Sequence, residues 1–127
     1  MLMSVKKWVT KMFMGEFKHN IDAKGRLIIP SKLREQCGSS VIVTRGFDGC
    51  LALYTQEGWD DYYQKLQMLP KTKKDARNFV RIITSRASEC EFDKLGRINI
   101  PSVLRVEGKL EKECIIVGVG DHVEIWN

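Results

Sequence analysis

The chain has 127 residues, 43% of them apolar, with three Trp, three Tyr and five Phe, which is enough to fill the core of one compact domain. Its longest uncharged apolar stretches, Leu27-Ile28-Ile29 and Cys114 to Val119, fall far short of the ~20 residues that cross a bilayer, and residues 1–14 lack the apolar run and cleavage site of a secretory signal. The net charge of +5 favours a polyanionic partner only weakly, since many ordinary proteins are mildly basic, and it is unevenly spread: residues 1–34 hold eight basic groups, three of them in residues 1–11, against two acidic ones.

A cytoplasmic location is therefore expected, with no membrane contact. The four cysteines, Cys37, Cys50, Cys90 and Cys114, lie 13, 40 and 24 positions apart. That spacing suits neither a zinc site nor, in a reducing compartment, a disulfide framework. No metal and no cofactor are expected.

Residues 1–11 form an N-terminal extension carrying Lys6, Lys7 and Lys11. From Glu16 to Ile21 the sequence alternates around Phe17, His19 and Ile21, the pattern of a half-buried strand. Asp22-Ala23-Lys24-Gly25 then reads as a tight turn, since Asp can accept bonds from the amides ahead of it and Gly tolerates positive φ. Arg26 to Ile29 returns as a strand, Pro30 ends its ladder, and Ser31 is placed to cap a short helix running to Cys37, with Gly38 beyond it. Val41 to Thr44 and Cys50 to Tyr54 follow as strands joined through Gly46-Phe47-Asp48-Gly49.

Thr55 can cap a helix bearing Trp59, Tyr62, Tyr63, Leu66 and Leu69, which stops near Pro70. Thr72 to Asp75 opens a second helix with Ala76, Phe79, Val80 and Ile83 on one face. The two make a helical hairpin.

After it the first pattern returns. Asp22, Gly25, Arg26, Pro30, Ser31, Leu33 and Arg34 meet Asp93, Gly96, Arg97, Pro101, Ser102, Leu104 and Arg105, all 71 positions on. Ser88 to Phe92 echoes the first strand, and Cys114 to Val117 and His122 to Trp126 echo the last two, joined through Gly118-Val119-Gly120-Asp121. The repeated unit is β-β-α-β-β. One copy has open sheet edges and too little apolar surface to stand alone, so two copies are expected to interleave about a pseudo-twofold axis. The fold class is thus α+β: two tandem units forming a small barrel, with residues 12–54 and 87–127 as the repeats and 55–86 as the helical linker.

Met12-Phe13-Met14-Gly15, the two Asp-x-x-Gly-Arg turns each leading to Ile-Pro and Leu-Arg, Trp59 in the linker, and the closing Val123-Glu124-Ile125-Trp126 resemble the MraZ family of bacterial transcription regulators, within the SpoVT/AbrB-like group. The resemblance spans about 12–126. Family members usually begin near Met12 and continue past the position of Asn127 into a helix matching Thr55 to Leu69. The resemblance implies a transcriptional repressor, nucleoid-associated, that binds short repeated boxes of double-stranded promoter DNA upstream of the division and cell-wall gene cluster containing its own gene, and it implies a ring-shaped homo-oligomer.

The residues suggest how such DNA would be met. Arg26, at the base of the first turn, can offer guanine O6 and N7 the planar fork they match, while Lys24 at the tip and Lys18 supply charge to phosphates. Residues 16–34 carry five basic and two acidic groups, whereas 87–105 carry three of each. The first turn is therefore the expected DNA face, with Arg26, Lys24, Lys18, Lys32 and Arg34 as its binding residues. Lys94, Arg97 and Arg105 are secondary, Arg97 being expected mainly to brace the barrel with Asp93. Asp22, Gly25, Asp93 and Gly96 shape the turns.

Plainer roles compete at several positions. Arg34 and Arg105 can pair with a neighbour such as Glu35 or stay solvated. Lys71, Lys73, Lys74, Arg77, Arg81 and Arg86 can form a solvated basic face or a contact. His19 and His122, like Trp59, Trp126 and the Tyr62-Tyr63 pair, more often pack than bind.

Enzymatic function is not expected. Asp22 and Asp93 superficially resemble the paired carboxylates of an aspartic protease, but an Arg follows each turn glycine and would keep both ionised. Neither a nucleophilic triad nor a phosphate-binding glycine loop can be assembled, and no small-molecule ligand is inferred. A ring-forming scaffold is a further alternative. Single-unit antitoxins of the same barrel type dimerise, which two fused units argue against.

Overall fold

The structure, a computed structural model, describes residues 12–127; the expected N-terminal extension, with Lys6, Lys7 and Lys11, lies outside them. Among the described residues twelve elements follow in order: β1 (Phe13–Asn20), β2 (Arg26–Ile28), α1 (Ser31–Arg34), β3 (Ser40–Arg45), β4 (Leu51–Tyr54), α2 (Gln56–Gln67), α3 (Lys74–Arg86), β5 (Ser88–Glu91), β6 (Arg97–Asn99), α4 (Ser102–Glu107), β7 (Glu113–Gly120) and β8 (Val123–Trp126). The fold is α+β, with all described strand pairs antiparallel.

The strands on either side of the linker helices pair across the two halves of the chain. A six-stranded sheet runs β1-β7-β8-β4-β3-β5, and β2 pairs with β6 in a separate ribbon. The order reads the same from either end once each strand is exchanged for its counterpart in the other half. The chain does turn at Asp22 to Gly25, as the sequence indicates, but β2 does not lie back on β1. Instead β1 pairs with β7, and β2 with β6. The reason is burial: Leu27 and Ile98 are fully enclosed only when they face one another on the ribbon's inner side.

Both halves feed one core. Leu27, Ile29, Leu33, Val41, Val43, Leu51 and Leu53 pack with Ile98, Ile100, Leu104, Cys114, Ile116, Val123 and Ile125, all of them essentially inaccessible to water. Fully burying such side chains stabilises by ~1.5–3 kcal/mol each before conformational entropy is set against it, so each half draws much of its stabilisation from the other.

Several local expectations are corrected. Ser31 and Ser102 do not cap their helices; Pro30 and Pro101 hold the N-cap positions in extended conformation, and neither helix has a side-chain cap. The Pro30 carbonyl accepts from the amides of Leu33 and Arg34 at 2.9 Å, which makes Ser31 the first helical residue. The first helix ends at Arg34 rather than Cys37, and α3 begins at Lys74 with Lys73 at its N-cap, again with no side-chain cap. Gly118-Val119-Gly120 is strand rather than connection, because β7 continues along β1 as far as Phe13. A side chain on Gly118 would place its Cβ 2.5 Å from the Met14 amide nitrogen, so only glycine allows β1 this close.

The helical hairpin lies over β3 and β4. Thr55 caps α2 by accepting from the Gly58 amide at 2.9 Å, and Thr44, fully buried, donates to the Ile83 carbonyl of α3 at 2.7 Å. Phe79 stacks on Phe47 with ring centres 5.8 Å apart. Tyr54 gathers Trp59, Tyr62 and His122 around it at 5.1–6.2 Å. Trp59 and Tyr62 therefore pack the hairpin onto the sheet, and His122 is also held by Asp121 at 2.6 Å.

Candidate nucleic-acid interface

The turn before β2 is built by one carboxylate. Asp22 Oδ1 accepts from the amides of Lys24 (3.0 Å) and Arg26 (2.8 Å), and Oδ2 accepts from Arg26 Nε at 2.6 Å. A backbone bond from Gly25 to the Asp22 carbonyl closes the loop, with Gly25 at φ +86°. The turn before β6 repeats this: Asp93 Oδ1 accepts from Leu95 and Arg97 amides at 2.9 Å, and Oδ2 from Arg97 Nε at 2.7 Å. In both, the carboxyl is held below its ordinary value of 3.8, first by the arginine's backbone amide and then by its side chain. These are charged, pre-ordered loops rather than titrating acids.

Each turn is stitched to the other half. Ile100 donates to the Gly25 carbonyl at 2.8 Å and Ile29 to the Gly96 carbonyl at 3.0 Å. The two turns thus sit at opposite ends of the β2–β6 ribbon, whose register pairs Arg26 with Asn99, Leu27 with Ile98 and Ile28 with Arg97. Since side chains alternate along a strand, the buried Leu27 and Ile98 define the inner face, and Arg26, Ile28, Arg97 and Asn99 share the outer one.

The anticipated site residues divide into groups. Arg26 and Arg97 come together on this face, each joined to its Asp through Nε; Arg26 is 35% exposed and Arg97 25%. Arg97 does bond Asp93, but within its own turn, and Arg26 bonds Asp22 in the same way. Lys24 and Lys94 are exposed at the two turns, Lys18 on β1, and Lys32 on α1. Arg34 and Arg105 are turned elsewhere. Arg34 Nη1 donates to the Ile29 carbonyl at 2.5 Å, and Arg105 Nε to the Ile100 carbonyl at 3.0 Å. Their guanidiniums lie across Gly96 and Gly25 respectively, so neither pairs with Glu35.

Sequence reasoning had not singled out Ile28 and Asn99. The signal was available in the alternation of Arg26-Leu27-Ile28 and Arg97-Ile98-Asn99, but which face was buried depended on a partner strand 71 residues away. Arg86 of the basic linker run is bound to Glu107 of α4. Among the described residues no cluster of His, Cys, Asp and Glu could hold a metal ion, and no helix is long and apolar enough to cross a membrane.

An antiparallel α+β fold with two Asp-fixed turns flanking an arginine-bearing ribbon defines the class of protein. Two matches to one family model, described as "MraZ protein, putative antitoxin-like", cover residues 12–82 and 83–127. The chain belongs to the MraZ family. It is 62% identical over 116 residues to the protein named Transcriptional regulator MraZ of Ligilactobacillus salivarius (strain UCC118), an alignment covering 91% of this chain and 81% of that protein. It is 60% identical over 116 residues to the protein of that name in Limosilactobacillus reuteri (strain DSM 20016), covering 91% and 82%.

Proposed function

We propose that this chain is a transcriptional regulator that reads double-stranded promoter DNA through the outer face of the β2–β6 ribbon. The observation that carries the reading is that Arg26 and Arg97 share that face. Both are held at the base of a loop whose ordering cost is met during folding, so binding need not freeze them. A two-stranded ribbon fits the major groove, where arginine terminal nitrogens meet guanine O6 and N7. The Asp bonds engage Nε and orient each fork without consuming it. Lys24 and Lys94 at the loop tips, with Lys18 and Lys32 nearby in sequence, supply phosphate contacts that position without reading.

On this reading the protein is not an enzyme, and the names of its relatives support regulation. The finer picture is ours: repression of the division and cell-wall cluster including its own promoter, short repeated boxes as targets, a ring-shaped homo-oligomer, and a nucleoid-associated place in the cytoplasm. The architecture behind it is a pseudo-twofold barrel of repeats 12–54 and 87–127 joined by 55–86.

The test is binding of the full chain to its own upstream region and to a scrambled duplex across a salt series. Specific binding should weaken steeply as salt rises. Arg26→Ala and Arg97→Ala should each cost about 5- to 150-fold at the specific site, with a loss of at most about 1 kcal/mol in stability expected from removing a partly exposed ion pair with Asp22 or Asp93. Equal affinity for both duplexes would sink the proposal.

A further inference from the structure

Within this DNA-reading proposal, on which it rests, we infer that Ile28 and Asn99 set base preference, and that they do so differently at the two ends of the ribbon. They occupy equivalent places: each lies two residues after its arginine, and each is paired across the ribbon with the other half's arginine, Ile28 with Arg97 and Asn99 with Arg26. Both are exposed and neither is spent on the fold: Ile28 is 37% exposed although large and apolar, and Asn99 lies exposed on the same outer face, its side chain making no hydrogen bond among the described residues.

Their chemistry differs where the arginines agree. An asparagine amide offers one acceptor and one donor side by side, the pattern that meets adenine N6 and N7 in the major groove. An isoleucine offers only apolar surface, which suits the thymine C5-methyl and leaves the hydrogen-bonding edges of other bases without a partner. Residues two apart on a strand are ~7 Å apart, close to two base-pair steps of ~3.4 Å. The face therefore spans roughly three base pairs. Its matched arginines read guanine on either side, while the Ile28/Asn99 difference makes the contacted core asymmetric and gives the protein a direction on DNA.

The tips break the symmetry in the same sense. Lys24 precedes Gly25, whereas the equivalent place before Gly96 holds Leu95, which is 67% exposed. Phosphate attraction is therefore stronger at the first turn's tip than at this position of the second.

The experiment is selection from a randomised duplex pool by the full-length chain, by Ile28→Asn and by Asn99→Ala, with unfolding midpoints measured in parallel. The wild-type chain should select an asymmetric core. Asn99→Ala should lose preference at one adenine, about 5- to 150-fold in discrimination, with its other positions kept. Ile28→Asn makes the two ends alike and should shift the selected core toward an inverted repeat. Replacing the thymine opposite Ile28 by uracil should weaken wild-type binding about fourfold, the equivalent of one buried methyl, and leave Ile28→Ala indifferent. Folded variants that select the wild-type core unchanged would overturn this assignment alone. A wild-type chain that selects no sequence would overturn the DNA reading as well.

Discussion

The Arg105 guanidinium lies across Gly25, with Nε 2.8 Å from where a Cβ on that glycine would stand. Arg34 does the same to Gly96 in the other half. Each arginine thus reaches from the short helix of one half onto the turn of the other, and each glycine is needed twice: for positive φ, +86° at Gly25 and +78° at Gly96, and for the space the arginine fills.

Gly25→Ala should therefore destabilise by more than the usual left-handed penalty of ~1–2 kcal/mol. The added methyl would also meet the Ile100 carbonyl oxygen at 2.9 Å, which is backbone and cannot rotate away. A loss of about 2 kcal/mol or more in urea unfolding is expected. Gly49→Ala is the control, since Gly49 has φ +89° but nothing near its Cβ position; it should lose only the conformational part. Equal losses would refute the crowding argument.

The same relationship separates Arg34 and Arg105 from the ribbon arginines. Arg34→Ala removes a charged donor from the Ile29 carbonyl, and Arg105→Ala one from the Ile100 carbonyl. Each should cost about 1.5–3 kcal/mol of stability, measured by chemical unfolding. Base preference in selection should be unaltered, although non-specific affinity falls with the lost charge. If Arg34→Ala were fully stable yet lost one base preference, the placement of Arg34 as a clasp between the halves would be wrong.

How much of this was legible beforehand follows from the range of the forces involved. The Asp-x-x-Gly-Arg turns are local, five residues that satisfy one another, and could be read directly. The strands, the helical hairpin and the Thr55 cap could likewise be found from periodicity. Strand partners could not, because the turn at Asp22 to Gly25 is as compatible with a hairpin as with exchange; burial of Leu27 against Ile98 decides it. The roles of Arg34 and Arg105 were hidden for the same reason. Both looked like surface cations because the glycine each covers is 62 or 80 residues distant in sequence.

The turn carboxylates lead to a pH prediction whose sign is fixed. Asp22 and Asp93 have folded values below the ordinary 3.8, chiefly through the Arg26 and Arg97 amides. A depressed carboxylate contributes stability that is fully present above its unfolded value and is lost as pH falls through its folded one. Asp22→Asn should thus lower the urea midpoint at neutral pH, and the difference from wild type should shrink as pH falls below 3.8. Carboxyl carbon shifts followed by NMR should show both groups titrating below that value. A midpoint for either at or above it would mean that the turn bonds are not made in solution.

The thiols give the last test. Burial pushes Cys37, Cys50 and Cys90 up to about 11 from 9.0, and Cys114 upward too. Only the thiolate attacks an alkylating agent, and although a thiolate of higher pKa is the stronger nucleophile, at pH 8 the native protein should react with iodoacetamide roughly 10-fold more slowly at the first three than an ordinary cysteine does. Burial of Cys50, Cys90 and Cys114 further limits the reagent, whereas Cys37 is partly accessible. Mass spectrometry should find Cys37 labelled first, the others following only as the chain opens, and all four at similar rates in strong denaturant. Rapid labelling of Cys90 in native conditions would show that β5, at the edge of the six-stranded sheet, opens independently of the core it helps to close.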